Sequence, residues 1–208
     1  MTIAYQKAYF LLSVAEIKQL PADQGIEVAI VGRSNAGKSS VLNRLTQSKR
    51  LARVSKTPGR TQQINIFVLD DKRRLADLPG YGFAKAPLAA QKKWQNTINL
   101  YLSTRQCLQG MVVVMDIRHP LTPLDHQLLN YCEQQQLPVH ILLNKLDKLS
   151  KTAGANTLQQ VKAALRTYSN SVTVQVFSAL KGTGVEELKK RLDKWFKNQD
   201  RTHEKTLL

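Results

Sequence analysis

The apolar run Val28–Val31 leads directly into Gly32-Arg33-Ser34-Asn35-Ala36-Gly37-Lys38-Ser39, and helical periodicity follows over Ser39–Gln47. Few folds accommodate that order of strand, G-x-x-x-x-G-K-S loop and helix. Gly32 and Gly37 let the backbone curl so that successive N–H groups converge on one point. The helix N-terminus behind them adds a dipole that favours negative charge there. The loop therefore reads as a phosphate cradle. Lys38 is placed to reach the β- and γ-phosphates of a nucleotide, and the Ser39 hydroxyl to ligate Mg²⁺.

Around this loop, short β-rich apolar runs alternate with longer helical patterns. The runs are Ile64–Leu69, Leu75–Leu78, Met111–Asp116, Val139–Leu143 and Val172–Phe177; the helical segments are Pro87–Arg105, Pro123–Gln135, Leu158–Tyr168 and Val185–Lys197. The alternation predicts a three-layer α/β domain with a mostly parallel six-stranded sheet and helices on both faces. One strand is expected to run antiparallel, because Asp70-Asp71-Lys72-Arg73 is a tight polar link that suits a hairpin. Thr183 and Glu186 have capping-box spacing and set the start of the last helix. Trp94, Ile98, Tyr101 and Leu102 share one helical face, which reads as core. Residues 1–24 read as an N-terminal extension packing on the domain, with an edge strand near Tyr9–Ser13. The domain itself spans 25–198, and 199–208 is a frayed tail.

The 208 residues include 31 Lys+Arg against 15 Asp+Glu, a formal net charge of +16. That excess points to an anionic partner, either nucleic acid or an acidic membrane surface. Nine basic residues (Arg44, Lys49, Arg50, Arg53, Lys56, Arg60, Lys72, Arg73, Arg74) and only two acidic ones, Asp70 and Asp71, lie between Asn43 and Arg74. Lys189, Lys190, Arg191, Lys194 and Lys197 line the polar side of the last helix. No run approaches the roughly 18–20 apolar residues of a membrane span, and the N-terminus is too polar for a signal peptide. A cytoplasmic protein with no membrane partner is the expectation. Cys107 and Cys132 suit a reducing compartment and read as packing or surface thiols. His119, His126, His140 and His203 lack ligand spacing with them, so no zinc site is expected.

Three further segments fall at strand ends, where a nucleotide bound by the loop would lie. Asp77-Leu78-Pro79-Gly80 offers a carboxylate that can hold Mg²⁺ through a water, and a flexible Gly80 whose N–H can swing onto the γ-phosphate. Asn144-Lys145-Leu146-Asp147 offers a carboxylate that accepts two hydrogen bonds from guanine, N1–H and the 2-amino group. Adenine has neither donor and would leave Asp147 buried and unpaired, a mismatch that costs roughly 10⁴-fold or more. Asn144 would support the base edge, and the Lys145 stem would lie over the ring. At the next strand end, Ser178-Ala179-Leu180 can offer a backbone N–H, that of Ala179, to guanine O6.

This ordered set resembles the small GTPase superfamily of P-loop proteins. Thr57-Pro58-Gly59-Arg60-Thr61-Gln62, Asp77-Leu78-Pro79-Gly80-Tyr81-Gly82-Phe83-Ala84 and Asp116-Ile117-Arg118-His119 look, more narrowly, like the EngB family of bacterial ribosome-assembly GTPases. The resemblance runs from about Tyr9 to Phe196. It implies a Ras-like G domain that binds GTP or GDP with Mg²⁺ and hydrolyses GTP. It also implies a part in maturing the large ribosomal subunit, through rRNA or ribosomal proteins, and a link to cell division and septum formation. A monomer is the default.

Thr57 and Thr61 both compete for the switch threonine that ligates Mg²⁺, and spacing leaves both open. The resemblance favours Thr61, within the stretch Gly59, Arg60, Thr61, Gln62, Gln63. The metal set it implies is Ser39, Thr61 and Asp77, with Lys38, Thr61 and Gly80 as the catalytic groups. Tyr81 follows Gly80 where Ras-like enzymes place the glutamine that orients water, so hydrolysis is expected to be slow without a partner or a monovalent cation. Asn35 is the candidate K⁺ ligand. Two other readings are an RNA-binding module whose nucleotide is structural and a division-linked regulatory GTPase. Asp147→Asn is expected to shift preference from guanosine to xanthosine nucleotides, because the amide donates where the carboxylate only accepts; unchanged GTP affinity, measured by calorimetry, would refute the assignment of the base pocket.

Overall fold

The computed structural model describes residues 3–52, 63–82, 88–168 and 172–197. Seven strands form one sheet among the described residues: β1 (Tyr9–Val14), β2 (Ile26–Gly32), β3 (Ile64–Val68), β4 (Arg73–Asp77), β5 (Leu108–Asp116), β6 (Val139–Asn144) and β7 (Val172–Val176). Their order is β1-β3-β4-β2-β5-β6-β7. Only β3 runs against the others, paired antiparallel to β1 on one side and to β4 on the other. The strand beyond the six expected is β1. Its residues Tyr9, Phe10 and Leu11 are exposed, and its register with β3 slips between Phe10 and Leu12. An apolar edge strand with a bulge lacks the alternation that would have counted it as a full member of the sheet.

Among the described residues five α-helices cover the two faces: α1 (Lys38–Leu45) and α5 (Val185–Lys197) on one, α2 (Leu88–Thr104), α3 (Pro123–Gln134) and α4 (Lys151–Ala164) on the other. The central strand β2 is buried throughout, so its side chains simply alternate between the layers, Ala29 and Val31 to one and Val28 and Ile30 to the other. A parallel sheet covered on both faces requires such unbroken apolar strands. Ile98, Tyr101 and Leu102 of α2 are core residues, as their spacing predicts. Gly110 in β5 lies where any Cβ would come within 2.6 Å of the Trp195 indole, so α5 can approach the sheet only over a glycine.

The elements differ in detail from the sequence pattern. Helix α4 begins at Lys151 rather than Leu158, because Ser150 caps it by accepting the Ala153 N–H (3.2 Å). The intervening Thr152, Gly154 and Asn156 are weak helix formers that hide the pattern. The Thr183–Glu186 capping box does not form. Thr183 stands outside α5 and accepts the Ser178 N–H through its carbonyl, the Gly184 carbonyl starts the helical ladder, and Glu186 pairs with Lys189 (2.8 Å). Both cysteines are buried, and burial pushes each thiol up to about 12.

At the start of β2, opposite the loop end, Glu27 is fully buried. It accepts bonds from Tyr101 Oη (2.7 Å) and from Arg105 Nε and Nη2 (both 2.9 Å), with Arg74 Nε at 3.2 Å. Arg105 also donates to the Pro21 carbonyl (2.8 Å), and Asp23 accepts the N–H groups of Gln106 and Cys107 (2.8 and 2.9 Å). The cluster thus fastens the segment before β2 to the sheet. Glu27→Gln removes the buried carboxylate that faces Arg105 and Arg74, leaving Arg105 its longer pair with Asp23 (3.8 Å), and should cost about 3 kcal/mol in urea unfolding; a loss below about 1 kcal/mol would show that the cluster does not hold the segment.

Candidate nucleotide-binding site

The parallel strands β2, β4, β5, β6 and β7 all end on one edge of the sheet, and β2 continues into the next element with neighbours on both sides. Loops leaving such a strand end enclose the crevice in which open α/β sheets bind ligands. The loop Gly32–Ser39 occupies it. Asn35 and Gly37 both take left-handed backbone, φ +62° and +95°. At Gly37 a Cβ would lie 2.4 Å from Asn144 Nδ2, so the position tolerates no side chain. Helix α1 starts at Lys38, and the first helical bond closes at Val41, to the Gly37 carbonyl (2.9 Å). The amides of the first turn therefore face outward from the helix N-terminus, the arrangement that binds anions.

Lys38 Nζ forms an ion pair with the Asp77 carboxylate at the end of β4, and both side chains are almost buried. The second Asp77 oxygen accepts from Asn65 Nδ2 (3.3 Å), its direct cross-strand partner in β3. Gly80 comes next, packed so that a Cβ would sit 3.2 Å from the Gly32 carbonyl. Beyond it, Ser34 donates its N–H to the Tyr81 carbonyl (2.7 Å), which ties the loop to the segment after Asp77.

Tyr81 is buried and its hydroxyl donates to Asp125. The other Asp125 oxygen accepts the N–H and hydroxyl of Thr122 (both 2.7 Å) and so caps α3. Burial, then the Asp125 charge, pushes the Tyr81 phenol well above its ordinary range, so it stays a neutral donor. Its ring lies 5.2 Å from that of Trp94, whose indole donates to the Pro79 carbonyl (2.8 Å). The phenol thus points into α3 and holds no water at the loop.

At the end of β6, the buried Asn144 side chain donates to the Ala36 carbonyl (2.8 Å) and accepts the Ala179 N–H (3.2 Å). Lys145 has φ +68°, and its Nζ reaches the Asn35 carbonyl (2.6 Å) and Asp116 (2.9 Å). Asp116 also receives the Arg118 guanidinium on both oxygens (2.9 and 2.7 Å). Burial alone would raise the Asp116 carboxyl, but the bonds from Arg118 and Lys145 outweigh it and hold the group well below the usual carboxylate range. Leu146 donates its N–H to the Phe177 carbonyl (3.0 Å), and Asp147 accepts the Ser178 hydroxyl (2.6 Å). Leu180 is exposed, and the carbonyls of Ala179 and Leu180 are held by Arg44 of α1 (2.6 and 2.7 Å).

The residues of Gly32–Ser39, Asp77–Gly80, Asn144–Asp147 and Ser178–Leu180 are thereby gathered at one edge. Gln63 stands just before β3, its Oε1 accepting from the Ser13 hydroxyl of β1 (2.8 Å). Thr57, Gly59, Arg60, Thr61 and Gln62 lie outside the described residues, as do Lys56, Phe83 and Ala84. Asn65, Asp125 and Arg44 joined the site without any signal in their own neighbourhood of sequence. The one available clue for Asn65 was the hairpin register that sets it opposite Asp77. Of the nine basic residues around the loop, Arg44, Arg73 and Arg74 have partners within the protein, Arg44 while still exposed and Arg73 with Asp70 (2.9 Å) at the surface. Lys49, Arg50 and Lys72 are exposed, and Arg53, Lys56 and Arg60 lie outside the described residues.

Several known proteins are similar to this chain. Residues 27–145 match the family model described as 50S ribosome-binding GTPase, and residues 95–198 match that of the elongation factor Tu GTP-binding domain. The "Probable GTP-binding protein EngB" of Coxiella burnetii (strain RSA 331 / Henzerling II) is 52% identical over 94% of this chain and 96% of its own length. That of Aliivibrio fischeri (strain MJ11) is 54% identical over 94% and 91%. The chain belongs to the EngB family. As an EngB protein it is a GTP-binding P-loop GTPase. A crystal structure of a probable GTP-binding protein EngB shares the fold at a TM-score of 0.67 and 24% identity, covering 82% of this chain and 98% of that one. A crystal structure of Era in complex with MgGDPNP and nucleotides of 16S ribosomal RNA shares it at a TM-score of 0.64 and 24% identity, over 83% of this chain and 57% of that one. Among the described residues of this EngB chain, no helix is long and apolar enough to cross a membrane.

Proposed function

We propose that this EngB protein is a cytoplasmic, monomeric GTP switch that binds an assembling large ribosomal subunit and leaves after hydrolysis, and that normal cell division and septum formation depend on it. The observation that carries the reading is the bond between the Ser34 N–H and the Tyr81 carbonyl, with Lys38 on Asp77 beneath it. Through it, the loop that holds the phosphates and the segment after Gly80 cannot move independently. A triphosphate that draws Lys38 from Asp77 therefore also displaces Gly80 and the residues beyond it. The match to a family described as 50S ribosome-binding supports the partner. The exposed Lys49, Arg50 and Lys72, with Lys190, Lys194 and Lys197 of α5, supply the charge such a partner requires.

In this reading Ser39, Asp77 and Thr61 hold Mg²⁺; a hydroxyl pair and a carboxylate are hard oxygen donors that suit it. Mg²⁺ would neutralise charge on the β- and γ-phosphate oxygens. Lys38 moves to those phosphates, Asn65 keeps one Asp77 oxygen in place, and the Gly80 N–H meets the γ-phosphate. Asp147 pairs with guanine, and the Ala179 N–H meets guanine O6. Hydrolysis by the free protein is slow, because Tyr81 stands where a glutamine would orient water and its hydroxyl is committed to Asp125. Asn35, exposed in the loop, is the K⁺ ligand that makes up for part of that deficit.

Co-sedimentation with precursor and mature large subunits is expected to be strong with a non-hydrolysable GTP analogue and weak with GDP. It should fall by orders of magnitude between about 50 and about 200 mM salt if six or more phosphates are contacted; binding indifferent to both nucleotide and salt would defeat the reading. Single-turnover hydrolysis is expected to run faster in K⁺ than in Na⁺ buffer. Equal rates would remove Asn35 from the mechanism.

A further inference from the structure

By sequence, Arg44 belongs to the basic stretch expected to face RNA, but its guanidinium, although exposed, is bound to the backbone of another loop. It stands in the last turn of α1, whose first residue is Lys38. Its Nε donates to the Ala179 carbonyl (2.6 Å) and its Nη2 to the Leu180 carbonyl (2.7 Å). Neither carbonyl has another hydrogen bond among the described residues. A planar fork on two successive carbonyls fixes the orientation of both peptides, which a single ammonium point charge cannot do. The other bonds of this loop hold Ser178 and the preceding peptide, which joins Ser178 to Ala179 and carries the Ala179 N–H. Gly182 donates its N–H to the Ser178 carbonyl (2.7 Å), and Lys181 donates its own to the Ser178 hydroxyl (3.1 Å). With its carbonyls turned to α1, the loop presents the Ala179 N–H to the Asn144 side, towards the pocket.

We infer that Arg44 is a positioning residue for base recognition: by gripping the Ala179 and Leu180 carbonyls from α1, it anchors the two peptides that follow the Ala179 N–H and so keeps that N–H where it selects a purine carrying an oxygen at position 6. The inference deepens the proposed guanine pocket and rests on the Ala179 N–H being the partner of O6. It also joins the two halves of the site mechanically, since the helix that starts at the phosphate cradle ends at the loop that reads the base.

Two nucleotide pairs separate this role from general support. GDP and 6-thio-GDP differ at position 6 and share the donors that Asp147 accepts. GDP and IDP share O6 and differ in the 2-amino group. Dissociation constants are measured on the purified full chain for the wild type, Arg44→Ala and Arg44→Lys. The wild type should prefer GDP over 6-thio-GDP by about tenfold, the scale of one hydrogen bond to a buried donor. Arg44→Ala should shrink that ratio to about twofold or less while the GDP-over-IDP ratio stays at its wild-type value. Arg44→Lys, which keeps the charge but not the fork, should also lose most of the position-6 preference, and it gives the same reading should the alanine variant fail to fold. A position-6 ratio unchanged in both variants, full restoration by lysine, or equal shrinkage of both ratios would overturn the role of Arg44. Absence of any position-6 preference in the wild type would overturn the O6 contact itself, and the inference with it.

Discussion

The buried side chain of Asn144 is the constraint on which the rest of the site depends. Its amide has one donor arm on the Ala36 carbonyl of the phosphate loop and its oxygen on the Ala179 N–H of the loop after β7. A buried amide without partners costs more than the bonds it makes are worth, so the two loops are obliged to stay within its reach. Gly37 is a consequence: the amide comes so close that no Cβ fits there. The neighbouring Lys145, bonded to the Asn35 carbonyl and to Asp116, repeats the same connection one residue later. Phosphate and base elements that are more than a hundred residues apart in the chain are in this way built as one rigid edge.

The other half of the site is held differently. Asp77 is fixed by strand pairing, through Asn65 across β3 and β4, whereas Gly80 and Tyr81 are fixed by side chains from α2 and α3. Movement at Gly80 must therefore be transmitted to α2 through Trp94 and to α3 through Tyr81 and Asp125. That arrangement suits a switch, in which a small displacement at the phosphate must reach a surface elsewhere. It also explains how a tyrosine comes to occupy a position where water-orienting chemistry would favour an amide: the residue serves the linkage between elements.

Charge is the property most altered by folding. An excess of basic residues around the phosphate loop reads as a single surface, yet Arg44, Arg73 and Arg74 are spent on carbonyls and carboxylates within the protein. Arg105 and Glu27 form a buried pair that no count of net charge distinguishes from solvated residues. The basic side chains that are exposed and not engaged within the protein, Lys49, Arg50 and Lys72 among the described residues of this stretch, are a narrower set.

The sequence by itself determined the three-layer fold, the single reversed strand and the phosphate and base segments, since each rests on local chemistry: apolar runs, a glycine spacing, a carboxylate after a lysine. The edge strand, with half-exposed apolar residues and no alternation, was legible only as a candidate. The start of α4 was hidden by weak helix formers. Only the tertiary structure decided that Tyr81 faces α3, that Asn65 supports Asp77, that Asp116 holds Lys145, and that Arg44 grips the loop after β7. Those contacts join residues far apart in the chain, and their partners are chosen by which strand ends and helix ends the sheet order brings together, a geometry that no local pattern encodes.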